Sequence, residues 1–201
     1  MQSNFYKNIS IIIFVISSIS FVYLIYKDLD IVQKTRVTTH EGIYSSYIST
    51  SKQITSIAKQ LTNQCHDDKL CQVQSLLDFV SNIPYRTQTF QQKKPLQVIK
   101  DNFGDCDDKS NLLISLLHSL GFEAYFVLVP QHIFVIVYIE DTRLKNTKGL
   151  WINGKKYYIL ESTAKGSKVG FPLHYKLKQI DTIIEPFSNQ TIEINQIRYA
   201  Y

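Results

Sequence analysis

The chain has 201 residues, 44% of them hydrophobic and 19% charged, with three cysteines and a formal net charge of +5. This length suits one ordinary domain with an appendage, and the composition excludes a disordered chain. The basic residues are scattered, as in Lys93-Lys94, Lys155-Lys156 and Lys165/Lys168. They form no dense stripe of the kind that binds nucleic acid, so no nucleic-acid partner is expected.

Residues 8–26 carry no charge. Nineteen residues rising about 1.5 Å each span roughly 28 Å, close to a bilayer core. Lys7 and Lys27 flank the run, and Tyr6, Tyr23 and Tyr26 suit the interface. A cleaved signal peptide is the competing reading, but no small-x-small site follows; Tyr26-Lys27-Asp28-Leu29 is a poor one. The expectation is an uncleaved anchor over residues 1–27, a tether over 28–43 and a domain over 44–201, in a single-pass membrane protein. Positive charge on both sides of the run leaves the orientation open.

Helical spacing of Ile48, Ile54, Ile57, Ala58 and Leu61 predicts a helix over about 44–64. Cys65 and Cys71 follow, with five residues between them. A disulfide there would close a small loop between two helices and place the domain outside the cytoplasm; the alternative is two free thiols in a reduced compartment. Zinc lacks a fourth ligand at the usual spacing. Leu70, Val73, Leu76, Leu77 and Val80 predict a helix over about 69–82, ended before Pro84. Residues 85–94 read as an exposed loop and Pro95–Lys100 as a short helix starting at proline.

Asp105 can cap the next helix, whose apolar face is Leu112, Leu113, Leu116, Leu117 and Leu120 and whose stop is Gly121. Cys106 then occupies the first turn, where unpaired N–H groups and the positive dipole end favour a thiolate and could stabilise an oxyanion. The second half changes period. Residues 123–129 and 132–139 are β-type runs joined by Pro130-Gln131, and Asn153-Gly154 marks a hairpin between 150–152 and 156–160. Further strands are expected near 181–185 and 190–198. Helices first and an antiparallel sheet second make an α+β domain. His132 opens one β run and Glu161 closes another, so Cys, His and a carboxylate follow in an order that suits a nucleophilic triad. His66, His118 and His174 are less well placed; His118 lies about three turns along the Cys106 helix.

Gly104-Asp105-Cys106-Asp107-Asp108, followed by Leu112-Leu113, Leu116-Leu117 and Leu120-Gly121-Phe122-Glu123-Ala124-Tyr125, resembles the core of the transglutaminase-like cysteine enzymes. His132 opens the strand that bears the family's histidine. Asn153 to Thr163 resembles the strand of its third residue, with Glu161 where Asp is usual. The resemblance covers about residues 70–165. It implies a papain/transglutaminase-like core, a catalytic Cys106, His132 and Glu161, a thioester intermediate, and a protein or peptide substrate. Water as acceptor makes a protease, an amine a transglutaminase. Gln88 or Tyr85 are the candidates for a second oxyanion donor. The closest layout is that of bacterial membrane-anchored members with an extracytoplasmic domain. Some of those use calcium near the cysteine, for which Asp105, Asp107 and Asp108 could supply oxygens; such carboxylates are more often caps, and no cofactor is otherwise expected. The alternative is a catalytically degenerate module that binds a protein or cell-envelope component.

Overall fold

The computed structural model describes residues 11, 13–25, 36–39, 42–45, 47–87 and 92–201. The chain divides into two units, Met1–Arg36 and Val37–Tyr201. In the first, residues 13–25 form a helix, α1, whose apolar side chains are exposed, Phe14 at 73% and Val22 at 64%. Among the described residues no helix is long and apolar enough to cross a membrane. Residues 8–10, 12 and 26 of the uncharged run lie outside the described residues.

The second unit opens on a two-stranded sheet, β1 (Arg36–Thr39) and β2 (Gly42–Ser45), in the stretch expected to hold the tether and the start of a helix. That helix, α2, runs instead over Lys52–Leu61. Its start is fixed by Ser51, whose hydroxyl accepts from the Ile54 N–H; the residues before it, rich in Thr, Tyr and Ile, suit extended backbone. Then come α3 (Lys69–Asn82), capped by Asp68, and α4 (Pro95–Asp101), ended by Asn102 at φ 54°. Cys65 and Cys71 are joined by a disulfide at the head of α3, with Cα atoms 5.4 Å apart.

The helix α5 (Cys106–Ser119) is the centre of the fold. Its capping residue is Asp105, whose carboxylate accepts from the Asp108 N–H at 3.1 Å. The sequence pattern suggests one apolar stripe, yet every residue from Asp108 to Leu117 is buried. Packing on α2, α3 and α4 as well as on the sheet surrounds α5 completely. Its polar residues are therefore bonded. Lys109 donates to the carbonyls of Ser81 (3.3 Å) and Ile83 (2.8 Å), Ser110 to Ile133 (3.4 Å), and Ser115 to Asn111 (2.7 Å).

The remaining strands are β3 (Ala124–Val129), β4 (His132–Val137), β5 (Gly149–Ile152), β6 (Lys155–Leu160), β7 (Thr182–Ile184) and β8 (Ile197–Ala200). They form one antiparallel sheet in the order β7-β3-β4-β6-β5-β8. Both hairpins turn as their residues require: Gln131 has φ 57°, and Asn153 and Gly154 have 49° and 84°. The expected strand over 190–198 is displaced. Thr191 makes only an isolated bridge to Ile184, while Ile197–Ala200 pairs with β5, where a free sheet edge supplies hydrogen-bond partners. The sheet separates two apolar clusters. Ile133, Val135, Val137 and Leu160 face the helices. Phe134, Ile136, Tyr157 and Ile159 face away from them, beneath the segment 171–180.

Candidate active site

Cys106, His132 and Glu161 come from three elements that meet at one end of the sheet. Ser110, one turn after Cys106, bonds to the Ile133 carbonyl and lies 3.3 Å from the Ser162 hydroxyl. These contacts pin the start of α5 against the start of β4 and the end of β6. The antiparallel register places Ile136 opposite Ile159, so Phe134 and His132 share a face with Glu161. His132 Nε2–H donates to Glu161 Oε2 at 2.8 Å, leaving Nδ1 open. Thr163 holds the other oxygen, Oε1, with its N–H (2.9 Å) and its hydroxyl (2.5 Å). The extra methylene of Glu over Asp is thus accommodated, and the carboxylate still reaches the ring. Burial alone would raise the Glu161 carboxyl; His132 and the Thr163 donors outweigh it and hold it below the usual value.

Cys106 is half-buried, and its thiol donates to Asp107 Oδ1 at 3.5 Å. Among the described residues no hydrogen bond joins it to His132. Expectation and structure part here. A helix start should favour the thiolate, yet burial, followed by the charges of Asp107 and Asp105, pushes the thiol up to about 12. A terminal dipole offers about half a charge, whereas desolvation and two carboxylates act together against the anion.

Each of the three aspartates accepts a hydrogen bond within the fold. Asp105 caps α5, and Asp107 Oδ2 accepts from Gln92 Nε2 at 2.9 Å. Asp108 Oδ1 accepts from the Lys93 N–H at 2.7 Å, and its buried Oδ2 has no hydrogen-bond partner among the described residues. Burial raises Asp108 to about 6. Among the described residues no three His, Cys, Asp or Glu side chains converge to hold a metal.

Of the two oxyanion candidates, Gln88 lies outside the described residues. Tyr85 is 52% exposed and forms a parallel bridge with Gly104, and partial burial, ahead of the neighbouring negative groups, raises its phenol. Three contributors were not singled out in the sequence. Gln92 braces Asp107, Lys109 ties α5 to the end of α3, and Tyr175 stacks on His132, centroids 6.3 Å apart and planes 18° apart. Tyr175 sits in an irregular tail with no periodicity to mark it. Lys109 reads in sequence as part of a solvated face.

The transglutaminase-like superfamily model matches residues 55–153, a stretch holding Cys106 and His132 and stopping short of Glu161. That stretch, just under half of the chain, is similar to the transglutaminase-like superfamily. Three solved structures resemble this transglutaminase-like chain. One, from Cytophaga hutchinsonii and described as a candidate cysteine protease, is 18% identical, with 78% of this chain and 53% of that one covered at a TM-score of 0.45. Legionella pneumophila LapG is 16% identical, with 62% and 78% covered and a TM-score of 0.43. A candidate protease from Parabacteroides distasonis is 15% identical, with 71% and 27% covered and a TM-score of 0.45. The chain spans about half the length of the Cytophaga protein. The comparison with curated proteins finds no match.

Proposed function

We propose that this transglutaminase-like domain is a cysteine hydrolase that cleaves peptide bonds through Cys106, His132 and Glu161. The observation that carries the reading is the His132–Glu161 bond, with Glu161 fixed twice by Thr163, at the strand ends next to the start of the Cys106 helix. With the thiol raised to about 12, a resting ion pair is not the starting state. Instead the proton passes to His132 Nδ1 as sulfur attacks the carbonyl carbon. The Cys106 N–H, among the unpaired donors of the helix start, faces the oxyanion. The C–N bond then breaks, the amine leaves with the proton from His132, and water hydrolyses the thioester. An amine in place of water would make the same site a transamidase.

Residues 8–26 anchor this enzyme in a membrane, in keeping with their lack of charge and the exposed apolar side chains of α1. The domain faces an oxidising compartment, in keeping with the Cys65–Cys71 disulfide. A second reading, a binding module with a silent site, is favoured by the thiol's bond to Asp107 rather than to His132. Hydrolysis of a random peptide mixture separates the two. The hydrolase cleaves as wild type and not as Cys106→Ala or His132→Ala, with unchanged circular dichroism. A folded wild type that cleaves nothing, while its thiol titration ignores His132→Ala, is the binding module.

A further inference from the structure

The His132 side chain is 18% exposed and borders a cleft of about 460 Å³, so close packing does not enclose its ring on every side. Gln131, Glu161 and Thr163 line the cleft together with Phe134, Ile159 and the returning segment 171–175. The bond from Nε2–H to Glu161 Oε2 ties the ring at one edge. That bond by itself leaves the imidazole free to tilt about its Cβ–Cγ bond, a torsion with broad minima. Tyr175 lies against the face of the ring. Their centroids are 6.3 Å apart and their planes 18° apart, and the same phenol ring stacks on Phe134 at 6.5 Å and 16°. The segment that carries Tyr175 is itself held. The N–H groups of Gly170 and Phe171 donate to the Ile159 carbonyl at 3.0 and 3.1 Å, and that of Leu173 donates to the Tyr199 hydroxyl at 3.2 Å. It is thus fixed to β6 and β8 just before it reaches the histidine.

We propose that Tyr175 is a positioning residue for His132: its ring, nearly parallel to the imidazole, sets the plane in which Nε2 meets Glu161 and Nδ1 stays open to accept a proton. The inference rests on the hydrolase reading above. His132 and Phe134 stand two residues apart on one face of β4, so a ring that spans both refers the imidazole to the sheet itself. A tilt of the imidazole would lose the offset contact or drive its edge into the phenol. The bond and the stack are complementary, since the bond selects the edge of the ring and the stack selects its plane. Nothing on the cysteine side shares this task, because the Cys106 thiol bonds to Asp107. The contact is made by the ring of Tyr175 and not by its hydroxyl. Phe should therefore replace Tyr, whereas a flexible apolar side chain of similar size should not.

The test uses the full chain in detergent and a peptide whose cleavage requires Cys106. Tyr175→Phe is expected to keep the wild-type kcat and KM. Tyr175→Leu and Tyr175→Met keep an apolar cover over Phe134 but lose the ring plane. In both, kcat should fall about 3- to 10-fold, the scale of one aromatic pair, with KM unchanged. Nitrogen-15 NMR of the five histidines, with His132 assigned by His132→Gln, reads the ring without turnover. Wild type and Tyr175→Phe should carry the His132 proton on Nε2 alone, and the Leu and Met variants a mixture of both tautomers. Circular dichroism checks the fold of each variant, and Tyr175→Phe decides alone if the other two unfold. A fall in kcat for Tyr175→Phe, an unchanged kcat for Tyr175→Leu, or a single Nε2–H tautomer in the Leu and Met variants overturns the assignment and leaves the hydrolase intact. Absence of Cys106-dependent turnover overturns the hydrolase reading, and the tautomer measurement still decides whether Tyr175 holds the ring.

Discussion

Thr163 donates both its N–H and its hydroxyl to one oxygen of Glu161, two residues earlier in the chain. The other oxygen is left to the His132 ring. A carboxylate held at one end cannot rotate freely, so the ring it orients is held too.

Glu161→Gln keeps the shape and removes the charge. A charge-assisted hydrogen bond contributes about 1.5–3 kcal/mol, so kcat/KM on a cleaved peptide should fall about 10- to 100-fold. Thr163→Val should cost less, because the backbone donor survives. Cys106→Ala and His132→Ala should abolish turnover. Full activity of Glu161→Gln would remove Glu161 from the machinery.

The Cys106 thiol is held high first by burial and then by Asp107 and Asp105. Its alkylation by iodoacetamide should stay slow through neutral pH and accelerate only in strong base. Removing a neighbouring negative charge favours the thiolate, so Asp107→Asn should shift that profile to lower pH. A wild-type profile centred below the free-cysteine value of about 8.5 would contradict the burial argument.

Lys109 is fully buried, and burial lowers its ammonium from 10.5 to about 8. Between those values the unfolded chain holds a proton that the native protein has shed, so stability rises with pH across this window. Lys109→Ala leaves two carbonyls without their donor and opens a cavity, a loss of about 2–4 kcal/mol. Urea midpoints at pH 7.5 and 9.5 check both points. The wild type should gain more on going to the higher pH than the variant does, and an equal gain would rule out the proposed proton linkage.

The Cys65–Cys71 disulfide closes a short loop at the head of α3. Loop-closure entropy for so few residues gives about 2 kcal/mol. Replacing both cysteines with serine should lower Tm by several degrees while leaving Cys106-dependent hydrolysis in place at 25 °C. A variant melting with the wild type would show that the bridge does not restrain the unfolded chain.

Local chemistry was enough to locate α3, α4 and α5, both hairpins and the order Cys106, His132, Glu161. Capping by Asp68 and Asp105, the proline start of α4 and the Asn153-Gly154 turn all act within a few residues, where sequence and conformation are directly linked. What lay beyond sequence was decided by distant partners. Ile197–Ala200 is a strand because β5 offers it an edge. Lys109 is buried because α2, α3, α4 and the sheet pack around α5, and its ammonium reaches the carbonyl of Ile83, 26 residues earlier in the chain. The Cys106 proton is held first by desolvation, which tertiary packing sets, and then by its chain neighbours Asp107 and Asp105; a helix-start argument by itself gets the direction wrong. The cleft beside His132 exists only because residues 171–175 fold back over the sheet. Local preferences and residue order belong to the sequence; burial and long-range contact, which set the charge state and the shape of the site, belong to the tertiary structure.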